Sequence, residues 1–275
     1  MGIKAIISDA DGTLVNTLFL IRHGQYEAMM EYLLAKKVPS NQLPKYEEYE
    51  HYINKSVGGS TLETFEKTLK LYFERRYPEI LKNVDFDEIN KNLEPIQDRI
   101  APIYVNPFHG LTELLTWTGV SHTSFGIFTS GSPHHIVRNF GVSLPVLGFT
   151  ELFKEKSING EEKLKAFISR AMAVYGMPKL AVITCEDVAR TKPDPQGILN
   201  LIDQLGVKAD EVIVLGDHPY DMAAAIAAGT HAIGVSHGFS TPADLSEAGA
   251  VKIVDNLATL PRLIKSHNSG DNLLF

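Results

Sequence analysis

Two aspartates near the start of the chain have the spacing of a shared chemical site. Asp9 and Asp11 end a short apolar segment, in the string Asp9-Ala10-Asp11-Gly12-Thr13. In extended backbone, residues i and i+2 project to the same side, so both carboxylates can face one site. Such a pair can bind a hard cation, divide acid and base roles, or do both. The string alone leaves a turn open as well, although no Glu follows at the position that closes an EF-hand loop.

A hydroxyl-rich segment in the middle of the chain has the pattern of a helix start. The string Thr129-Ser130-Gly131-Ser132-Pro133 follows another apolar segment. It predicts Ser132 as the N-cap and Pro133 as the first helical residue. Backbone N–H groups and the helix dipole at such a start favour an anionic oxygen.

Two later segments add a cation and a second pair of acids. Lys192-Pro193-Asp194-Pro195 predicts a helix start with Asp194 as its cap, which leaves Lys192 as a point charge for a phosphate. Asp217 and Asp221 lie four residues apart, so both can face one cation if the segment forms a helical turn. Each segment alone is also explained by caps, turns and solvated acids. Together, in order, they indicate one site.

The elements that must position these residues are apolar segments rich in β-branched side chains. Their continuous rather than alternating apolarity predicts strands buried on both faces, and helix-like stretches between them indicate βαβ units. The sequence therefore predicts an α/β fold with a parallel sheet, whose carboxyl edge would collect the four polar segments. The predicted strands are Ile3–Ser8, Ser124–Thr129, Leu180–Cys185, Glu211–Leu215, His231–Val235 and Val251–Val254.

Residues 17–100 carry helical periodicity and no good strand, which predicts a helical domain inserted after the first strand. We expect a core of residues 1–16 and 101–265, a cap of residues 17–100, and a flexible tail of residues 266–275. Pro95 should kink or break the last cap helix. Three apolar stripes define the packed faces: Leu18, Ile21, Met29, Met30, Leu33 and Leu34; Leu62, Phe65, Leu69, Tyr72 and Phe73; and Phe86, Ile89, Leu93, Ile96 and Ile100.

Composition and charge exclude several classes of protein. The chain has 275 residues and a formal net charge of −7, with an isoelectric point near 5.8. A general nucleic-acid surface or a basic membrane patch is therefore not expected. The longest apolar run has 7 residues, far below the roughly 18 of a membrane span, and the N-terminus lacks a secretory pattern. The single cysteine, Cys185, excludes an internal disulfide. We expect a cytoplasmic protein that is a monomer or a homodimer.

The four polar segments together resemble the motifs of the haloacid dehalogenase superfamily of phosphohydrolases. Asp9–Thr13 is similar to the first motif, Thr129 to the second, Lys192 to the third, and Asp217 with Asp221 to the fourth. The resemblance is greatest to the branch of phosphoglycolate phosphatases, where a helical cap follows the first motif. It implies a Rossmann-like core, and it makes Gly58 and Gly59 part of a substrate loop in the cap.

The resemblance also implies roles for the site residues. Asp9 would be the nucleophile that forms an aspartyl-phosphate, and Asp11 the general acid and base. The implied ligands of Mg²⁺ are Asp9, the backbone carbonyl of Asp11, Asp217 and Asp221. The implied phosphate contacts are Thr129, Ser130, Gly131 and Lys192. The expected function is a phosphatase of a small phosphorylated metabolite, either like phosphoglycolate or a sugar phosphate.

Other functions stay open at this stage. A phosphomutase of the β-phosphoglucomutase type would return the phosphoryl group to its substrate, and a binding protein could retain the scaffold without catalysis. Gly234-Val235-Ser236-His237-Gly238 also fits the serine-hydrolase pattern, with Asp255 and His267 following in order. Too few residues follow Ser236 for that fold, and the next helix is predicted to start only at Thr241-Pro242, which favours a turn.

Overall fold

The computed structural model describes residues 2–54, 56, 61–76, 78–149 and 154–271. The chain divides into two compact units, a core of residues 1–16 and 106–275 and a cap unit of residues 17–105. The return to the core therefore lies five residues later than the expected boundary at residue 101, because the last cap helix continues to Tyr104.

The core is built on a six-stranded sheet whose neighbouring strands are all parallel. The strand order is β5-β4-β1-β6-β7-β8, and β2 and β3 form a separate antiparallel pair. The predicted α/β fold is confirmed. The strands are β1 Ala5–Ser8, β2 Val15–Asn16, β3 Asn106–Pro107, β4 Ser124–Phe128, β5 Leu180–Ile183, β6 Val212–Gly216, β7 His231–Val235 and β8 Lys252–Val254.

The strands of the sheet centre are buried on both faces. Ala5 and Ile7 of β1 belong to one apolar cluster with Val212 of β6. Ile6, whose side chain alternates to the other face, is fully buried as well. Helices flank this sheet, and their bounds are α6 Leu111–Val120, α7 Pro133–Ser143, α8 Gly160–Tyr175, α9 Gln196–Leu205, α10 Pro219–Ala227, α11 Pro242–Glu247 and α12 Leu260–Asn268.

The cap unit is helical in its described residues. Its helices are α1 Leu18–Ala35, α2 Tyr46–Asn54, α3 Thr61–Arg76, α4 Pro78–Leu81 and α5 Phe86–Tyr104. The expected break at Pro95 is wrong, because α5 runs through both Pro95 and Pro102. The stripe predicted for α1 is correct only in part. Met29 and Leu33 are buried, Leu18, Ile21 and Met30 are half-buried, and Leu34 is exposed. The buried face also includes Leu20, Gly24, Gln25, Ala28 and Tyr32.

The strand register brings the polar segments to one edge of the sheet. Ser8 at the end of β1 pairs with Ile127 of β4 and with Leu215 of β6. The next residues along each strand, among them Asp9, therefore leave the sheet on the same side. This is the carboxyl edge, where parallel sheets hold their ligands.

Two further expectations differ from the structure. Cys185 does not end a strand, because β5 stops at Ile183 and the cysteine opens a 3₁₀ turn in which it is half-buried. The expected tail from residue 266 begins inside α12, which continues to Asn268. Among the described residues no helix is both long and apolar enough to cross a bilayer.

Candidate active site

Three carboxylates meet at the carboxyl edge of the sheet. Asp9 follows β1, Asp217 follows β6, and Asp221 lies in the first turn of α10. One carboxylate oxygen from each lies within 4.8 Å of the other two. The predicted helical turn between Asp217 and Asp221 is present, because His218 caps α10 and Pro219 begins it. The oxygen spacing suits ligands of a single hard cation.

Lys192 lies among these acids. Its Nζ donates to Asp9 Oδ1 at 2.5 Å and to Asp221 Oδ1 at 2.7 Å. A third hydrogen bond, 3.0 Å long, runs to the carbonyl oxygen of Phe128 at the end of β4. All three ammonium protons are thus engaged, and the lysine connects residues that follow β1, β4 and β6. Its side chain is 8% exposed, so this charge acts in a medium that screens it poorly.

The site carries more negative charge than its lysine neutralises. Burial raises the pKa of Asp9 well above its ordinary value, and Lys192 opposes this while Asp221 and Asp217 add to it. Burial, with the neighbouring Asp221, raises the pKa of Asp217 to about 7. Burial alone would lower the pKa of Lys192, but Asp221 and Asp9 outweigh it and raise that pKa. Three clustered carboxylates with one ammonium beside them form a donor set that suits a divalent cation.

Asp217 is fixed by contacts from two separate loops. Thr13 Oγ1 donates to its Oδ1 at 2.8 Å, and the Phe239 N–H donates to its Oδ2 at 2.7 Å. Gly12 and Gly238 lie so close that a Cβ on either would collide with the Asp217 carboxylate. The residue types of Gly238 and Phe239 do not indicate this contact, and Gly238 appears above only as the last glycine of the serine-hydrolase pattern. Thr13 could have been found, since it belongs to the first motif.

The hydroxyl-rich segment forms a loop and a capped helix, as predicted. Thr129 Oγ1 accepts the Gly131 N–H at 2.9 Å, which leaves its own proton to donate. Ser132 caps α7 by accepting from the His135 N–H, and Pro133 is the first helical residue. Ser130 is half-buried and Gly131 buried. The loop thus combines a hydroxyl with the N–H groups of a helix start, which is an environment for an anionic oxygen.

Asp11 has a partner that the sequence did not reveal. Its Oδ1 accepts a hydrogen bond of 2.8 Å from Nδ2 of Asn139, which lies in the second turn of α7. Asn139 is 128 residues distant in the chain and is 3% exposed. The one sign of this contact is that the polar residues Arg138 and Asn139 interrupt an otherwise apolar run of buried positions in α7.

Asp194 differs from its predicted role, and the two cap glycines of the candidate substrate loop are not described. Asp194 is not the N-cap of α9, which begins at Gln196 after Pro195, although its Oδ1 still accepts the Gln196 N–H at 3.0 Å. Gly58 and Gly59, the candidate substrate loop, lie outside the described residues.

The rival serine-hydrolase reading is not supported. Ser236 Oγ donates to the carbonyl oxygen of Val254 at 3.4 Å. The next helix starts after Thr241, as predicted, so no helix begins directly behind the serine. A nucleophile elbow needs such a helix, and we interpret this segment as a turn.

Comparison with known proteins identifies the family. A family model described as haloacid dehalogenase-like hydrolase matches residues 3–229, which is most of the chain. The chain belongs to this family. The membership agrees with the carboxyl-edge residues Asp9, Lys192, Asp217 and Asp221, and it confirms the resemblance seen in the sequence.

Relatives within the family carry phosphatase names. The chain is 37% identical to a phosphoglycolate phosphatase of Rhodospirillum rubrum over 83 residues, which are 30% of this chain and 34% of that protein. It is 38% identical over 77 residues to an N-acetylmuramic acid 6-phosphate phosphatase of Pseudomonas aeruginosa, covering 27% of this chain and 34% of that protein. Each match thus spans about a third of the relative's length.

A solved structure shares the whole fold. The crystal structure of a predicted phosphoglycolate phosphatase from Haemophilus somnus 129pt superposes with a TM-score of 0.70 over 94% of this chain and 97% of that chain. The two sequences are 14% identical. At that identity the superposition shows a common fold rather than a common substrate.

Proposed function

We propose that this haloacid dehalogenase-like hydrolase is a Mg²⁺-dependent phosphatase of a small phosphorylated metabolite. One observation carries the proposal: the carboxylates of Asp9, Asp217 and Asp221 lie together at the carboxyl edge of the sheet, and the Lys192 ammonium donates to Asp9 and Asp221. Partial matches to phosphoglycolate and N-acetylmuramic acid 6-phosphate phosphatases support a phosphomonoester as the substrate.

The proposed reaction has two displacements at phosphorus. A carboxylate oxygen of Asp9 attacks the phosphorus in line, and the bond between phosphorus and the ester oxygen breaks. Asp11 donates its proton to the departing oxygen. Water then attacks the aspartyl-phosphate, Asp11 takes a proton from that water, and inorganic phosphate leaves with the Asp9 carboxylate restored.

The proposed cation ligands are Asp9, Asp217, Asp221 and the backbone carbonyl of Asp11. A bound Mg²⁺ would supply positive charge that lets a carboxylate approach a phosphate dianion. The cluster of three carboxylates supports this assignment, since oxygen ligands and surplus negative charge suit a small hard cation.

The remaining groups are proposed to bind the phosphoryl oxygens. Lys192 places a positive charge beside Asp9, the proposed nucleophile. Thr129 offers its hydroxyl proton, and the loop at Ser130 and Gly131 offers backbone N–H groups. A general acid at Asp11 favours an oxygen leaving group, because a halide would not need the proton.

The proposal is tested by a phosphomonoester panel with inorganic phosphate release as the readout. We expect hydrolysis that EDTA stops and added Mg²⁺ restores. Asp9→Asn should lose at least roughly a thousandfold in kcat/KM, because an amide of the same shape is a poor nucleophile. The matched control is Asp210→Asn, an exposed aspartate outside the site, which should retain full activity.

Three outcomes would contradict the proposal. Full activity in Asp9→Asn would remove the nucleophile assignment. Isomerisation of a sugar phosphate without phosphate release would establish a mutase instead. Binding of phosphomonoesters without turnover across the whole panel would favour the binding-protein alternative.

A further inference from the structure

Helix α7 carries a buried Arg-Asn pair that packing alone does not explain. Arg138 is 2% and Asn139 3% exposed, among apolar neighbours on the same helix such as Ile136 and Phe140. Burying an amide and a guanidinium costs free energy unless each finds hydrogen-bond partners. An apolar side chain would fill the same volume without that cost, so the pair calls for a reason beyond packing.

The pair fixes which end of the Asn139 amide faces the site. Arg138 Nε donates to Asn139 Oδ1 at 2.9 Å. A guanidinium has donors only and keeps its charge at any relevant pH, so the amide oxygen must face Arg138. The NH₂ end therefore faces Asp11, whose Oδ1 accepts from Nδ2 at 2.8 Å. The donors of Arg138 therefore determine the orientation of the Asn139 amide, so it does not depend on an arbitrary assignment of the amide nitrogen and oxygen.

We propose that Asn139 is a positioning residue for Asp11 and that Arg138 fixes its amide in the working orientation. The proposal rests on the proposed phosphatase function. Because an NH₂ group donates and does not accept, it keeps Asp11 Oδ1 as an acceptor and assigns the transferred proton to Oδ2. The pair thus aims one defined oxygen of the general acid at the leaving group, and an aligned donor is worth far more than a freely rotating one.

The contact also couples two parts of the site. The helix that begins beside the Thr129 loop holds Asp11, which follows β1, so the phosphate loop and the acid keep a fixed spacing. The backbone of Asn139 has its own support, since the Ser143 hydroxyl donates to its carbonyl oxygen at 2.6 Å. Ser143 therefore offers a matched control on the same helix that leaves Asp11 untouched.

The test compares two esters of similar size that differ in their need for an acid. Phenyl phosphate has a poor leaving group and depends on protonation, whereas p-nitrophenyl phosphate has a good one and depends on it little. In Asn139→Ala and Asn139→Asp we expect kcat/KM for phenyl phosphate to fall roughly tenfold further than kcat/KM for p-nitrophenyl phosphate. KM should change little, since the pair does not touch the phosphoryl group.

The ratio of the two kcat/KM values is independent of the folded fraction, so a destabilised variant still gives an answer. Ser143→Ala should leave the ratio at the wild-type value. An unchanged ratio in both Asn139 variants would mean that both esters are affected equally. That outcome would overturn the positioning role while leaving the phosphatase function intact. A wild-type protein that hydrolyses no phosphomonoester would instead overturn the proposed function itself.

Discussion

At the scale of single residues, the Asp217 carboxylate is held by a donor on each of its oxygens. Both carboxylate oxygens accept a hydrogen bond, from Thr13 Oγ1 and from the Phe239 N–H. These donors favour the charged form, yet burial and Asp221 outweigh them and raise the pKa of Asp217 to about 7. Without a cation, the ionised form of the Asp217 carboxyl therefore destabilises the folded protein at neutral pH.

We predict that the metal-free protein loses stability as pH rises from 5.5 to 8. A carboxyl whose pKa is about 7 when folded and near its ordinary value when unfolded stabilises the fold at low pH, and this contribution disappears as pH rises through the folded pKa. The loss is on the order of 2–4 kcal/mol. Thermal unfolding in EDTA measures it as a falling Tm, and saturating Mg²⁺ should reverse the fall.

Asp217→Asn should reduce this pH dependence, because one of the two carboxyls with a raised pKa is gone. The control is again Asp210→Asn, which removes one exposed charge from an acidic protein without touching the site. Equal slopes of Tm against pH in EDTA for Asp217→Asn and the wild type would contradict the assignment.

At the scale of elements, helices of the core pack at distances that only glycine permits. Gly119 lies near the end of α6, where a Cβ would collide with the carbonyl oxygen of Tyr175, the last residue of α8. The obstacle is backbone, which cannot rotate away as a side chain would. The approach of α6 to α8 therefore depends on the absence of a single methyl group.

We predict that Gly119→Ala destabilises the protein although alanine favours helix. The propensity gain is about 1 kcal/mol, whereas forcing a methyl group into a packed contact costs roughly 1–3 kcal/mol. The net effect should be a Tm lower by a few degrees. Gly160→Ala is the matched control, because Gly160 opens α8 and the nearest atom to its Cβ would lie at an ordinary 3.5 Å. A stabilised Gly119→Ala would show that α6 and α8 can separate freely.

At the scale of the whole molecule, the site depends on loops that are far apart in the chain. Lys192 contacts Asp9 across 183 residues, and Thr13 contacts Asp217 across 204. These contacts lie within the core, which is itself made of two chain segments separated by residues 17–105. A cation held by Asp9, Asp217 and Asp221 would therefore add a further link between loops that the sheet and these contacts already align.

We predict that Mg²⁺ slows backbone hydrogen exchange selectively at residues 9–13 and 217–221. Binding stabilises the closed form of the loops that it joins. Helix α5 of the cap, which offers no ligand, is the internal reference and should exchange at an unchanged rate. Hydrogen exchange with mass spectrometry measures both regions in one sample. Protection spread evenly over the chain, or absent in Asp217→Asn and the wild type alike, would contradict a site at these loops.

Much of the core could be predicted from the sequence because its signals are local. Runs of buried apolar residues marked the strands, and β7 was predicted to the residue as His231–Val235. The cap was less predictable. Pro95 lies inside a continuous α5, so tertiary packing outweighs the missing hydrogen bond. The buried face of α1 includes Gln25, a polar residue that no apolar periodicity could indicate.

The amino-acid sequence by itself determined the order of the chemistry-bearing loops along the chain and the residue types that they carry, because strand ends, caps and acid spacing depend on a few neighbouring positions. The tertiary structure decided which groups touch. That Asn139 holds Asp11, that Phe239 and Gly238 enclose Asp217, and that Lys192 reaches both Asp9 and Asp221 depend on sheet register and helix packing. Contacts between residues that are distant in the chain leave no local pattern, so only the folded coordinates reveal them.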